Sequence, residues 1–122
     1  MDSARQTQDD LRAPARALRE ALPDVMKGFA ELSAAAMKDG VLTARTKELI
    51  ALAIAMSKQC DGCIAAHARG AARTGASEAE VAEAIGVAIL LNGGPATVYG
   101  PRALSAFREF SPPVDPPEAA ST

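Results

Sequence analysis

With 122 residues the chain falls within the length of one domain, and 48% hydrophobic residues suffice for a core. Aromatics make up only 3% and Trp is absent, so Ala, Leu, Ile and Val must fill that core, which suits helices packed closely together. A net charge of −2 without a basic block argues against nucleic acid or an anionic membrane surface as partner.

The N-terminus, MDSARQTQDD, lacks the basic stretch and apolar core of a signal peptide, and no apolar run reaches membrane-spanning length. The expected location is therefore the cytoplasm. In a reducing compartment a close pair of cysteines more often serves metal or redox chemistry than a structural staple.

Helical spacing recurs along the whole chain and strand patterns are missing, so the predicted fold class is all-α, with about six helices. Leu11, Ala15, Leu18 and Leu22 share one helical face. Pro14 is expected in the first turn of that helix and Pro23 to limit its end. Asp24 is a candidate cap for a second helix to about Lys38, with Val25, Met26, Phe29, Leu32, Ala36 and Met37 offered for burial and Asp39-Gly40 ending it. A third helix, capped by Thr43, runs to about Lys58. Its middle, Leu49 to Met56, is apolar all round, as befits a helix surrounded by protein.

A turn is expected at Ser57-Lys58-Gln59. The fourth helix, about Cys60 to Thr74, is rich in alanine and ends at Gly75, which suits a left-handed cap. Ser77 and Glu80 form a Ser-x-x-Glu capping box for a fifth helix with an apolar stripe of Val81, Ala82, Ile85, Ala88 and Ile89. Asn92-Gly93-Gly94-Pro95 breaks the chain. A sixth helix follows to Phe110, with an interruption or kink expected at Gly100-Pro101. The tail, SPPVDPPEAAST, carries four prolines and reads as disordered or extended. The domain reading is a helical extension over 1–22, a core domain over 23–110 and a Pro-rich tail over 111–122.

The chemistry concentrates in Glu48 to His67, ELIALAIAMSKQCDGCIAAH. At about 100° per residue, Cys60, Cys63 and His67 fall within a stripe about 60° wide on the fourth helix. Glu48 would lie off that face in one continuous helix, so the turn must bring it there. A cysteine in the first turn of a helix is favoured as thiolate, and two at this spacing can approach bonding distance, one attacking while the other resolves. His67 is then a candidate proton relay, and Glu48, beside Ala51, Leu52 and Ala55, a candidate general base. Two other readings remain open on spacing alone. The pair could bind zinc with His67 and Glu48, or Glu48 could serve only as a helix-dipole partner.

Glu48, eleven residues and then Cys-x-x-Cys-x-x-x-His, together with Lys47 to Ala53 and more loosely Asn92-Gly93-Gly94-Pro95 with Tyr99, resembles the core of the AhpD-like alkylhydroperoxidases within the carboxymuconolactone decarboxylase superfamily. The resemblance covers about Pro23 to Phe110. It implies an all-helical fold assembled as a homo-oligomer, a trimer or hexamer, and a cofactor-free antioxidant enzyme acting on hydroperoxide or disulfide substrates. It implies further that Cys63 attacks, Cys60 resolves, and Glu48 and His67 relay protons through water. The thiol reductant it suggests is of the dihydrolipoyl type. Some members carry a histidine between the cysteines; Asp61-Gly62 stand there instead, which implies a different proton route. The superfamily also contains cofactor-free lactone decarboxylases, which do not depend on a Cys pair. A non-catalytic assembly module is the reading outside enzymology.

Overall fold

A computed structural model describes residues 2–112, and the reading of the tail beyond Pro112 lies outside them. Among the described residues there are six helices and no strand: α1 (Ala4–Ala21), α2 (Pro23–Met37), α3 (Ala44–Ser57), α4 (Asp61–Arg73), α5 (Glu78–Asn92) and α6 (Ala96–Phe110). The all-α expectation holds. No helix among these residues is long and apolar enough to cross a membrane.

Most boundaries follow from local chemistry. Thr43 caps α3 by accepting the Thr46 N–H, and Ser77 and Glu80 complete the capping box of α5, each side chain accepting the other residue's backbone N–H. Past the end of α4, Gly75 takes φ +86°, a left-handed conformation that costs glycine little. Its N–H and that of Ala76 return to the Ala72 and Ala71 carbonyls, which would otherwise lack partners.

The core centres on α4. Ala65, Ala68 and Ala71 are fully buried, and with no side chain beyond Cβ they let α3 and α6 approach closely. Leu52 and Met56 of α3, Val81 of α5 and Phe107 of α6 are the largest fully buried side chains. Burying each such group contributes about 1.5–3 kcal/mol. α1 lies across α4 and is tied to the far end of the chain, since the Glu109 carboxylate accepts the N–H groups of Ala4 (2.7 Å) and Arg5 (3.2 Å).

Four expectations need correction. The first helix starts at Ala4, capped by Ser3, so Pro14 sits in its interior rather than its first turn. The Ser3 cap and the Glu109 carboxylate satisfy the N–H groups of Ala4, Arg5 and Gln6 at the start of this helix. The second helix begins at Pro23, in the first-turn position where a missing N–H costs nothing, and Asp24 lies inside the helix rather than capping it. No residue of α2 is buried, and Val25, Phe29 and Leu32 face outward. Finally, α6 runs unbroken through Gly100-Pro101. Gly100 is buried where a Cβ would come within 2.9 Å of Ile85 Cγ2, so this glycine lets α5 and α6 close on each other.

Candidate redox site

The site is made along the length of α4 that faces α3, with the cysteines at its start and Glu48 of α3 against its middle and last turn. Between the two helices Gln59 takes a left-handed conformation, φ +55°, and the Cys60 N–H bonds back to the Ala55 carbonyl at 3.2 Å. This reverses the chain within three residues. The turn falls at the expected Ser57 to Gln59, but Cys60 is the N-cap of α4 rather than its first helical residue. Its Sγ accepts the Cys63 backbone N–H at 3.2 Å, so a thiolate there would meet an unpaired helix donor.

Cys60 and Cys63 are joined as a disulfide, with Cα atoms 5.2 Å apart. Cys63 is exposed and Cys60 partly buried, so the bond opens to solvent on the Cys63 side. The position between them is closed from outside by α1: a Cβ on Gly62 would stand 3.1 Å from Leu11 Cδ1. Asp61 is paired with Arg102 of α6 at 3.4 Å.

One turn beyond Cys63 on the same face lies His67. Its Nδ1 is 2.9 Å from Oε2 of Glu48, across nineteen residues of sequence. An ionised carboxylate can only accept, so the proton belongs on Nδ1 and the Nε2 lone pair is left free. The Glu48 side chain is 8% exposed and that of His67 32%, so the carboxylate is enclosed while the imidazole reaches solvent. Arg73, two turns further along α4, places Nη2 3.9 Å from Oε1 of Glu48. The structure thus brings Glu48 to His67, and the two cysteines together one turn away.

Sequence reasoning did not find Arg73 or the glycine over which Glu48 lies. An arginine in the last turn of a helix is ordinary for dipole reasons, and only the three-residue rhythm of His67, Gly70 and Arg73 marked the stripe. With the sulfurs bonded to each other, the zinc ligand set is not assembled: no group of three or more metal-ligating side chains occurs among the described residues.

Comparison with known proteins places the chain in a family. The carboxymuconolactone decarboxylase family pattern matches residues 23–109. An uncharacterised protein of Cupriavidus necator is 41% identical over 91 residues, covering 75% of this chain and 80% of that one. The product of an uncharacterised reading frame in the cox locus of Paracoccus denitrificans is 42% identical over 82 residues, 67% of this chain and 74% of its own. Among solved structures, a carboxymuconolactone decarboxylase family protein of Legionella pneumophila superposes with a TM-score of 0.82 at 42% identity, covering 85% of this chain and 93% of that one. A family member of Thermotoga maritima, for which an antioxidative role has been suggested, gives 0.69 at 30% identity, covering 80% and 86%. Pattern, relatives and fold agree over the segment that carries the cysteine pair, and the chain belongs to the carboxymuconolactone decarboxylase superfamily, as an AhpD-like member.

Proposed function

We propose that the protein is a thiol-dependent antioxidant enzyme that reduces hydroperoxides or disulfides through Cys60 and Cys63. The observation that carries this reading is the solvent-facing disulfide at the N-terminus of α4, one turn from a histidine already paired to a carboxylate. In the reduced enzyme the Cys63 thiolate attacks the outer oxygen of a hydroperoxide. His67 Nε2 has taken the proton of the Cys63 thiol and returns it as the O–O bond breaks, so the alkoxide leaves as the alcohol and Cys63 becomes a sulfenic acid. Cys60 then attacks the Cys63 sulfur and water departs, which yields the disulfide. A dithiol donor restores both thiols by attacking the exposed Cys63 sulfur. Cys60 leaves as a thiolate stabilised by the Cys63 N–H, and the better-stabilised leaving group leaves faster. Glu48 fixes the His67 tautomer throughout and balances the imidazolium when it forms.

The test is turnover of an organic hydroperoxide with several candidate dithiol reductants, a dihydrolipoyl donor among them. Cys63→Ser should abolish turnover, and Cys60→Ser should leave Cys63 trapped as sulfenic acid, detected by mass spectrometry. An intact wild-type chain that turns over neither peroxide nor disulfide would overturn the reading. The superfamily's lactone decarboxylases remain the other enzyme class, and nothing in that chemistry calls for two bonded sulfurs.

The working unit we propose is a homo-oligomer, a trimer or hexamer. Val25, Phe29 and Leu32 on α2, Ile50 and Ile54 on α3, and Leu90 and Leu91 on α5 stay outward in the isolated chain. So much exposed apolar side chain favours association between copies. Light scattering at micromolar concentration that found a monomer would remove this claim.

A further inference from the structure

We infer that Gly70 is a positioning residue of this site: the bare backbone of α4 at Gly70 forms the slot in which the Glu48 carboxylate lies, and so sets its contact with His67. A Cβ built on Gly70 would stand 2.5 Å from each oxygen of Glu48, closer than real Cβ contacts come. The carboxylate therefore lies flat on the helix at this position. Its two oxygens are held from either side along the same face, Oε2 by His67 one turn before Gly70 (2.9 Å) and Oε1 by Arg73 one turn after (3.9 Å).

Glycine in a helix interior is otherwise disfavoured, because it adds backbone freedom to the unfolded chain and no packing to the folded one. α4 is rich in alanine at its other close-packed positions, Ala65, Ala68 and Ala71, all fully buried. Gly70 is buried as well, yet here even a methyl group is too large. What separates this position from its neighbours is that it faces a carboxylate on α3 rather than an apolar side chain. Gly70 touches no reacting atom; it acts through Glu48 on the tautomer and orientation of His67.

The inference deepens the proposed redox function, and its role there rests on that reading, but the decisive measurements need no substrate. His67 is the only histidine, so its imidazole nitrogen resonances report directly on the Nδ1–H tautomer. In Gly70→Ala the carboxylate must leave the slot, and the Nδ1–H tautomer signature should give way to a mixture. Peroxide turnover should fall by up to about 10²-fold, the scale of a misplacement near 1 Å.

In a Glu48→Gln background, Gly70→Ala should add little further loss of turnover, because both act through the same contact. The melting temperature of Gly70→Ala should fall, and Glu48→Ala in the same chain should raise it again by emptying the slot that the new methyl enters. Should Gly70→Ala not fold, that double variant decides. A double variant no more stable than Gly70→Ala, or a Gly70→Ala chain with the wild-type tautomer, would overturn the assignment. A wild-type chain with the Nδ1–H tautomer but no redox turnover would count against the proposed function and leave the positioning role standing.

Discussion

α2 and α3 are apolar helices of nearly equal length, fifteen and fourteen residues, and the fold treats them in opposite ways. α3 buries Glu48, Leu52, Ala55 and Met56 against α4, α5 and α6. No residue of α2 is fully buried: Met26 and Met37 are partly covered, and Phe29 is 66% exposed. An apolar stripe shows that a helix face will be covered, but not by what. For α3 the cover is the rest of the same chain, and the enclosed carboxylate at its start becomes part of a site. For α2 the cover we propose is another copy.

A matched pair of substitutions breaks this comparison most directly. Leu52→Ala, at a position 1% exposed, should cost about 2–5 kcal/mol, because the cavity left behind is lined by packed neighbours. Leu32→Ala, at 65% exposed, should stay within about 0.5 kcal/mol in denaturant titration at a concentration where the chain is monomeric. The contrast sharpens with concentration. If α2 is covered by a second copy, the wild-type melting temperature rises with protein concentration, and Leu32→Ala flattens that rise. Equal costs for the two leucines in the monomer would mean that α2 packs on its own chain after all.

The next effect is on chemistry rather than stability and belongs to α3 alone. Glu48→Gln keeps the shape of the side chain and removes its charge, so the fold should survive while peroxide turnover falls about 10²-fold or more. If Glu48 serves only the helix dipole, the same change should cost about 0.3–1 kcal/mol and leave turnover near wild type. Melting temperature and turnover across pH, measured for Glu48→Gln beside His67→Gln, separate the two. Loss of the same limb of the profile in both variants identifies one relay.

What the sequence made legible was local. Thr43, Ser77 with Glu80, and Gly75 each act on a backbone group within a few residues, so their roles could be read in place. The association of Glu48 with the Cys-x-x-Cys-x-x-x-His stripe was legible too, because only a turn of three residues had to be supplied. Features that depend on distant partners were not. The first seven residues of α1 are mostly polar and show no apolar stripe; Ser3 marks their start locally, but the Glu109 carboxylate that also accepts their first N–H groups comes from more than a hundred residues away. Gly100 looks like a helix breaker until Ile85 is placed beside it. Gly70 looks like one more small residue in an alanine-rich run until Glu48 is laid across it. In both cases the missing information was the identity of the facing atom.

The smallest expected effect lies at the start of α5, in an interaction the sequence displayed most plainly. The Ser77 backbone N–H, donating to Glu80 at 3.0 Å, holds that carboxyl below its ordinary value, and the nearby Arg45 charge acts in the same direction. A carboxyl whose folded pKa is depressed stabilises the fold fully above its unfolded value, close to 4.5, and loses that contribution as pH falls through the lower, folded value. Glu80→Gln keeps an oxygen that can accept the Ser77 N–H but cannot titrate. Its melting temperature should therefore lie near wild type at neutral pH, where what it lacks is the charge. Below pH 4.5 the wild type should lose more stability than the variant, so the gap between the two closes or changes sign in acid. Other carboxylates titrate in both proteins and cancel in the difference, which isolates Glu80. A difference that stays constant from pH 6 to pH 3 would show that the capping box gains nothing from ionisation. A difference that closes would mark it as a small charge-assisted contact on the surface.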